Sequence, residues 1–198
     1  MQAKEPGTQP RLAPPCPIGR AADVLGDRWT LLILRNATVG MTRFEEFKSD
    51  LGIADNILST RLGRLVDAGL MTKVPYRDNG RSRHEYRLTS AGADVLPLLH
   101  ALCAWGQRHT EPGQPSDPMQ IIHLACGHTT ADERICDHCR QPVERDQEAW
   151  LRPWRSATPF PLASPVDSPP GDPKTRPAAS NPAGDHALAR ASPKTRSA

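Results

Sequence analysis

Residues 53–88, IADNILSTRLGRLVDAGLMTKVPYRDNGRSRHEYRL, decide the fold, because they read as one surface helix running directly into one basic β-hairpin. In the first half, Leu58, Leu62, Leu65, Val66 and Leu70 recur at three- and four-residue spacing and form a stripe that must be buried. The opposite face carries Asn56, Ser59, Thr60, Gly63 and Arg64, small or polar groups suited to entering a groove. Asp55 stands where a helix cap is expected. From Met71 the period changes to two, and Asp78-Asn79-Gly80 separates two strand-like runs. Both central residues of the favoured tight turn need positive φ, which Asn-Gly supplies. On the return limb Tyr86 and Leu88 alternate with Arg83, Glu85 and Arg87, giving one buried and one wet face. A helix followed at once by a charged hairpin is the DNA-reading half of a winged helix-turn-helix.

Charge supports that reading. Arg61, Arg64, Lys73, Arg77, Arg81, Arg83 and Arg87 face only Asp67, Asp78 and Glu85 in this stretch, while the whole chain of 198 residues carries a formal +3. A local cationic stripe is what phosphate contacts require. The expected readers are Asn56, Ser59, Thr60, Arg61 and Arg64 on the helix and Arg77, Arg81 and Arg83 on the wing. The competing reading is an exposed helix and a solvated hairpin on a winged helix that binds protein instead.

Upstream, Cys16-Pro17 opens a first helix to about Leu25, with Pro17 at the first helical position and Ile18, Ala21, Ala22 and Leu25 expected inward. Gly26-Asp27 breaks it and Asp27 caps RWTLLILRNATV, with Trp29, Leu32, Ile33 and Val39 making it the most buried helix. RFEEFKSDL follows, turning on Phe44, Phe47 and Leu51, and Gly52 joins it to the reading helix. Downstream, Thr89 is expected to start one long helix to about His109, apolar over more than half its circumference and interrupted by Pro97. That excess of apolar surface calls for a second chain as cover.

The organisation expected is a flexible arm (1–15), a winged helix-turn-helix domain with dimerisation helices (16–110), a linker (111–119), a Cys/His-rich ribbon-like segment (120–155) and a disordered Pro/Ala/Ser-rich tail (156–198). The fold class is thus mainly α with a small β-hairpin wing. No apolar run is long enough to span a bilayer, and the N-terminus lacks the apolar stretch of a secretory signal, so a cytoplasmic protein with reduced or metal-bound cysteines is expected.

The motifs CPIGRAADVLGDRWTLLILR, RFEEF, LSTRLGRLVDAGL, EYRLTSAG and LLHALCAWG, in this order between Cys16 and His109, resemble the HxlR family of MarR-like winged-helix transcription regulators. The resemblance implies a cytoplasmic homodimer, joined through its N- and C-terminal helices and binding an inverted DNA repeat. It also implies a response to electrophiles or oxidants through the cysteine of the Cys-Pro pair, here Cys16. The segment Cys126–Cys139 is similar to the Cys-Gly-His and Cys-Xaa-Xaa-Cys tail of some members.

Cys16 at a helix N-terminus near Arg20 has the setting of a reactive thiol, against the plainer reading of a small apolar residue at a dimer seam. Cys103, on an apolar helix face, reads as core. Cys126, His128, Cys136 and Cys139 have the number and spacing of a closed structural Zn²⁺ site, with His123 and His138 as substitutes for His128. A metal-free dithiol is the alternative. There is no phosphate loop, dinucleotide fingerprint, nucleophile elbow or HExxH helix, so no catalytic role is expected.

Overall fold

The structure, a computed structural model, describes residues 16–78, 80–112, 117–131 and 134–166. The expected arm (1–15), Asn79 of the hairpin turn, part of the linker (113–116) and residues 167–198 of the tail lie outside the described residues.

Helix α1 (Pro17–Leu25) begins as expected, with Cys16 as N-cap and its Sγ accepting from the Gly19 N–H at 3.5 Å. Its apolar side does not turn inward: Ile18 is 78% exposed, Ala21 and Ala22 are exposed, and Leu25 is half-buried. Helix α2 (Arg28–Thr38) is capped by Asp27 and runs through the core, burying Ile33, Leu34 and Ala37. It also buries Thr30, Asn36 and Thr38, whereas Trp29, Leu32 and Val39 are half-buried.

At the start of α3 (Phe44–Leu51), Glu46 Oε2 accepts from the N–H groups of Thr42 and Arg43, each at 2.9 Å. Gly52 turns the chain into α4 (Asp55–Asp67), whose stripe Leu58, Leu62 and Leu65 is buried. The N-cap of α4 is Ala54, so Asp55 is the first helical residue; its carboxylate meets Lys48 Nζ at 2.8 Å and braces α4 against α3.

Strands β1 (Met71–Asp78) and β2 (Arg81–Leu88) pair antiparallel from Met71↔Leu88 to Asp78↔Arg81, with Gly80 at φ 79°, the positive value expected of it. The expected long helix is two: α5 (Ser90–Ala93) and α6 (Leu96–His109). Pro97 lies in the first turn of α6, where its missing N–H has no intrahelical role. The short α5 is pinned under the wing, since a Cβ at Gly92 would stand 2.0 Å from the Leu70 carbonyl oxygen. Thr89 Oγ1 fastens the same corner, accepting from Gly92 N and donating to the Gly69 carbonyl.

Past the winged part, β3 (Gln120–His123), β4 (His128–Thr130), β5 (Glu148–Leu151) and β6 (Phe160–Pro161) form an antiparallel sheet in the order β4-β3-β5-β6. The sheet is packed onto the winged part, because Trp150 and Leu162 are buried in the same apolar cluster as Ile33, Leu34 and Leu99. The tail expected to be disordered from Ser156 is ordered to Val166. Pro161 pairs with Ala149, Ala163 N donates to the Thr38 carbonyl and Val166 N to that of Leu88. Low apolar content misled there; backbone pairing and one buried leucine hold the strap. No helix among the described residues is long and apolar enough to cross a membrane.

Candidate DNA interface and candidate metal centre

Burying Leu58, Leu62 and Leu65 turns the other side of α4 outward, and Asn56, Ser59, Thr60 and Arg64 are all exposed there. Ile57, 38% exposed beside them, was not among the residues expected; an apolar residue off the buried stripe was its signal, and it suits contact with a thymine methyl. Arg61 is placed differently from expectation. Its Nε and Nη2 donate to Asp27 Oδ1 and Oδ2 at 2.8 and 2.9 Å, so it ties α4 to the cap of α2 instead of reaching outward. Desolvation pushes the Asp27 carboxyl up, but the Thr30 N–H and the Arg61 guanidinium outweigh it and hold the group below its ordinary range.

Arg77, Arg81 and Arg83 are exposed along the arms and tip of the wing. Arg83 approaches Asp78 at 3.4 Å, an exposed pair of the kind worth little in water and readily exchanged for a phosphate. The wing is anchored to the helical part at its base: Tyr86 N donates to the Thr42 carbonyl at 2.7 Å, and the Arg43 guanidinium lies over the Tyr76 ring. The reading helix and wing are therefore held on one framework.

The cysteine cluster forms around a different histidine from the one placed first by spacing. Cys126, Cys136 and Cys139 converge with His123, all four ligand atoms lying within 4.8 Å of one another. His123 Nδ1 stands 3.5 Å from Cys126 Sγ and 3.3 Å from Cys139 Sγ, and Cys126 Sγ is 3.7 Å from Cys136 Sγ. Tetrahedral Zn²⁺ with Zn–S about 2.3 Å and Zn–N about 2.05 Å requires S···S near about 3.8 Å and S···N near about 3.6 Å, so the donors fit.

The local backbone explains the exchange. After His123 the chain turns tightly, with Gly127 N donating to the His123 carbonyl at 2.8 Å, and this swings Cys126 back over His123. His128, one strand later, is exposed and stacks on His138 with ring centroids 3.5 Å apart. Cys126, His128 and His138 make a second, more exposed three-residue group sharing one thiol with the first. The N–H of Cys139, seconded by that of His138, overcomes desolvation and holds the Cys136 thiol down at about 6. Cys126 is pushed up: the His128 N–H favours its thiolate but is outweighed by desolvation and the neighbouring thiols of Cys136 and Cys139.

Buried polar groups join this sheet to the helices, and the sequence reading missed them. Asp50, at the end of α3, takes Asn36 Nδ2 at 2.7 Å and Arg35 Nη2 at 3.1 Å and pairs with Arg155. Asn36 Oδ1 in turn accepts from Arg152, fully buried with its guanidinium over Phe160. Burial, then the nearby Arg35, pulls the Arg152 guanidinium down to about 10. His100 of α6 meets Glu148 at 2.7 Å, and Trp150 Nε1 donates to the same carboxylate oxygen at 2.6 Å. Adjacent Arg35 and Asn36, directly after the apolar run Leu31–Leu34 of α2, were the available signal. Cys16 is exposed, and Cys103, half-buried, has its thiol pushed up by desolvation.

Residues 24–114 match the family described as HxlR-like helix-turn-helix. An uncharacterised HTH-type transcriptional regulator of Mycobacterium tuberculosis is 41% identical over 126 residues, covering 64% of this chain and 78% of that protein. One from Methanothermobacter thermautotrophicus is 33% identical over 95 residues, 48% of this chain and 72% of that protein. Among solved structures, PA1607, a proposed transcription factor, superposes with a TM-score of 0.55 at 37% identity, covering 66% of this chain and 90% of that one.

Proposed function

The chain belongs to the HxlR-type family of helix-turn-helix transcriptional regulators, and from that premise we propose that it works as a homodimer reading an inverted DNA repeat with two copies of α4 and two wings. The observation that carries this reading is the exposed polar face of α4, Asn56, Ser59, Thr60 and Arg64, braced on the same framework as the cationic wing. Amides and hydroxyls on that face match base edges, while Arg77, Arg81 and Arg83 supply phosphate contacts. Pairing is supported by exposed apolar surface: among the described residues Ile18 and Val24 on α1 and Leu98, Leu102 and Trp105 on α6 are between 42% and 78% exposed. Selection from random DNA tests the reading. It should enrich a palindrome whose half-sites lie about one helical turn apart; enrichment of nothing above background would reject it.

The Cys₃His cluster can hold a metal, and we assign it a structural Zn²⁺ held by His123, Cys126, Cys136 and Cys139. The ion would supply cross-linking to a sheet that has little apolar core of its own. Cys16 is exposed, and its Sγ accepts the Gly19 N–H at a helix N-terminus; this accessibility supports a role as the oxidant- or electrophile-responsive thiol. A Cys16→Ser protein that releases DNA on diamide treatment as the parent does would end that role.

A further inference from the structure

Between α2, α6, the chain after α6 and the β5 end of the C-terminal sheet lies an open cleft of about 930 Å³, a volume at the upper end of ordinary small-molecule sites. Its walls are mainly apolar. Leu31 and Leu32 come from α2, Leu99 and Cys103 from α6, and Trp150 and Trp154 from the C-terminal module. Arg28 and Arg35 are the two cationic residues that line it, the first with its guanidinium over Trp29 and the second held by Asn36 and Asp50, and Asp117 is the one acid among the described lining residues.

We propose that this cleft binds an amphipathic organic acid, its apolar body against the two tryptophans and its carboxylate at Arg28 and Arg35. Three observations carry the proposal. First, α6 presents two stripes one residue out of step. Leu98, Leu102 and Trp105 form the exposed stripe that suits a second copy of the chain, whereas Leu99, Cys103 and Gly106 face the cleft, with Leu102 on the border. The cleft is thus turned away from most of the surface a second copy would cover. Second, positive charge beside it is in excess: Arg35, Arg152 and Arg155 gather around the carboxylate of Asp50, and the buried Nε and Nη2 of Arg152 have no hydrogen-bond partner among the described residues. An anion at Arg35 is favoured by that field. Third, Arg35 is already held by Asn36 and Asp50, so its orientation is fixed before a ligand arrives. A contact on Arg35 also bears directly on Asp50 of α3, the first helix of the helix-turn-helix.

Calorimetry on the full chain without DNA tests this, using 2-naphthoate, its neutral counterpart 2-naphthalenemethanol, and decanoate. The expected result is one naphthoate per chain, bound about tenfold or more tighter than the alcohol, as a charge-assisted contact requires. Decanoate binding tighter than naphthoate would mark the class as alkyl acids, and the reverse as aryl acids; either supports the site. Arg28→Gln should remove most of the preference for the acid. Gly106→Leu should abolish binding without lowering Tm, because a Cβ at Gly106 meets nothing closer than Thr110 Oγ1 at 3.9 Å. Three results would overturn the proposal: no binding of either acid at millimolar concentration, naphthoate binding undiminished by Gly106→Leu, or a Gly106→Leu chain that loses self-association, which would make a second copy the occupant.

Discussion

From Arg28 to Leu88 the buried residues are mostly aliphatic, Ile33, Leu34, Leu58, Leu62 and Leu65 among them, whereas from Gln120 to Val166 they include His123, Thr130, Glu148 and Arg152. Apolar burial is the larger part of what holds the winged region, since its helices carry stripes that fit one another. The C-terminal region has less to bury: it contributes Trp150 and Leu162 to a core that the helices supply, adds only Ile122, Val143 and Ala149 as further buried aliphatics, and carries its thiol cluster and buried polar contacts besides. The difference predicts two kinds of fragility: metal chemistry should dismantle one region, and side-chain truncation at their shared core should weaken both.

The largest effect expected is from Cys136→Ser, because structural zinc sites carry on the order of 10 kcal/mol of folding free energy. Bound zinc should fall from one per chain to none and protease should then cut the segment 117–166, while circular dichroism retains the signal of α2–α4. Full metal loss with an intact sheet would break the comparison. Trp150→Ala comes next, at about 3–5 kcal/mol for a large buried aromatic. If the core is shared, denaturant melts followed by helix signal and by zinc release should shift together; a shift confined to zinc release would make the regions separable.

Smaller again is Arg64→Ala, expected to cost about 1–3 kcal/mol of affinity and to relax preference at one base position. Arg83→Ala should weaken binding to all sequences alike and lower the salt slope by about one. Smallest is Arg61→Lys, which replaces the bidentate bond to Asp27 by a point charge. It should lower stability by about 1 kcal/mol or less and leave base preference unchanged, as fits a brace on a partly exposed pair.

The same contrast governs what was legible in the sequence. Periodicity placed α4 and the wing because a 3.6-residue stripe and an Asn-Gly turn are local signals, tied to geometry within a few residues. Facing was less legible. Ile18 of α1 obeys its period but is left 78% exposed, and the place of α5 depends on Gly92 fitting against Leu70, a contact distant in sequence. For the metal cluster, residue types were legible and the fourth ligand was not. His123-Xaa-Xaa-Cys126 mirrors Cys136-Xaa-Xaa-Cys139, two matched two-residue gaps, yet Cys-Gly-His drew attention to His128. The strap after Ser156 was illegible because backbone hydrogen bonds to Thr38 and Leu88, not composition, hold it.

The central claim is that α4 and the wing together read DNA, and one titration tests it most directly: binding of a palindrome from random-sequence selection, against scrambled DNA, across a range of salt for the parent and for Asn56→Ala/Arg64→Ala. The parent should prefer the palindrome by about 10³-fold or more, with affinity falling linearly in log salt, and the double variant should lose most of that preference while keeping much of the salt dependence. Equal affinity of the parent for both duplexes, or an unchanged preference in the variant, would contradict it.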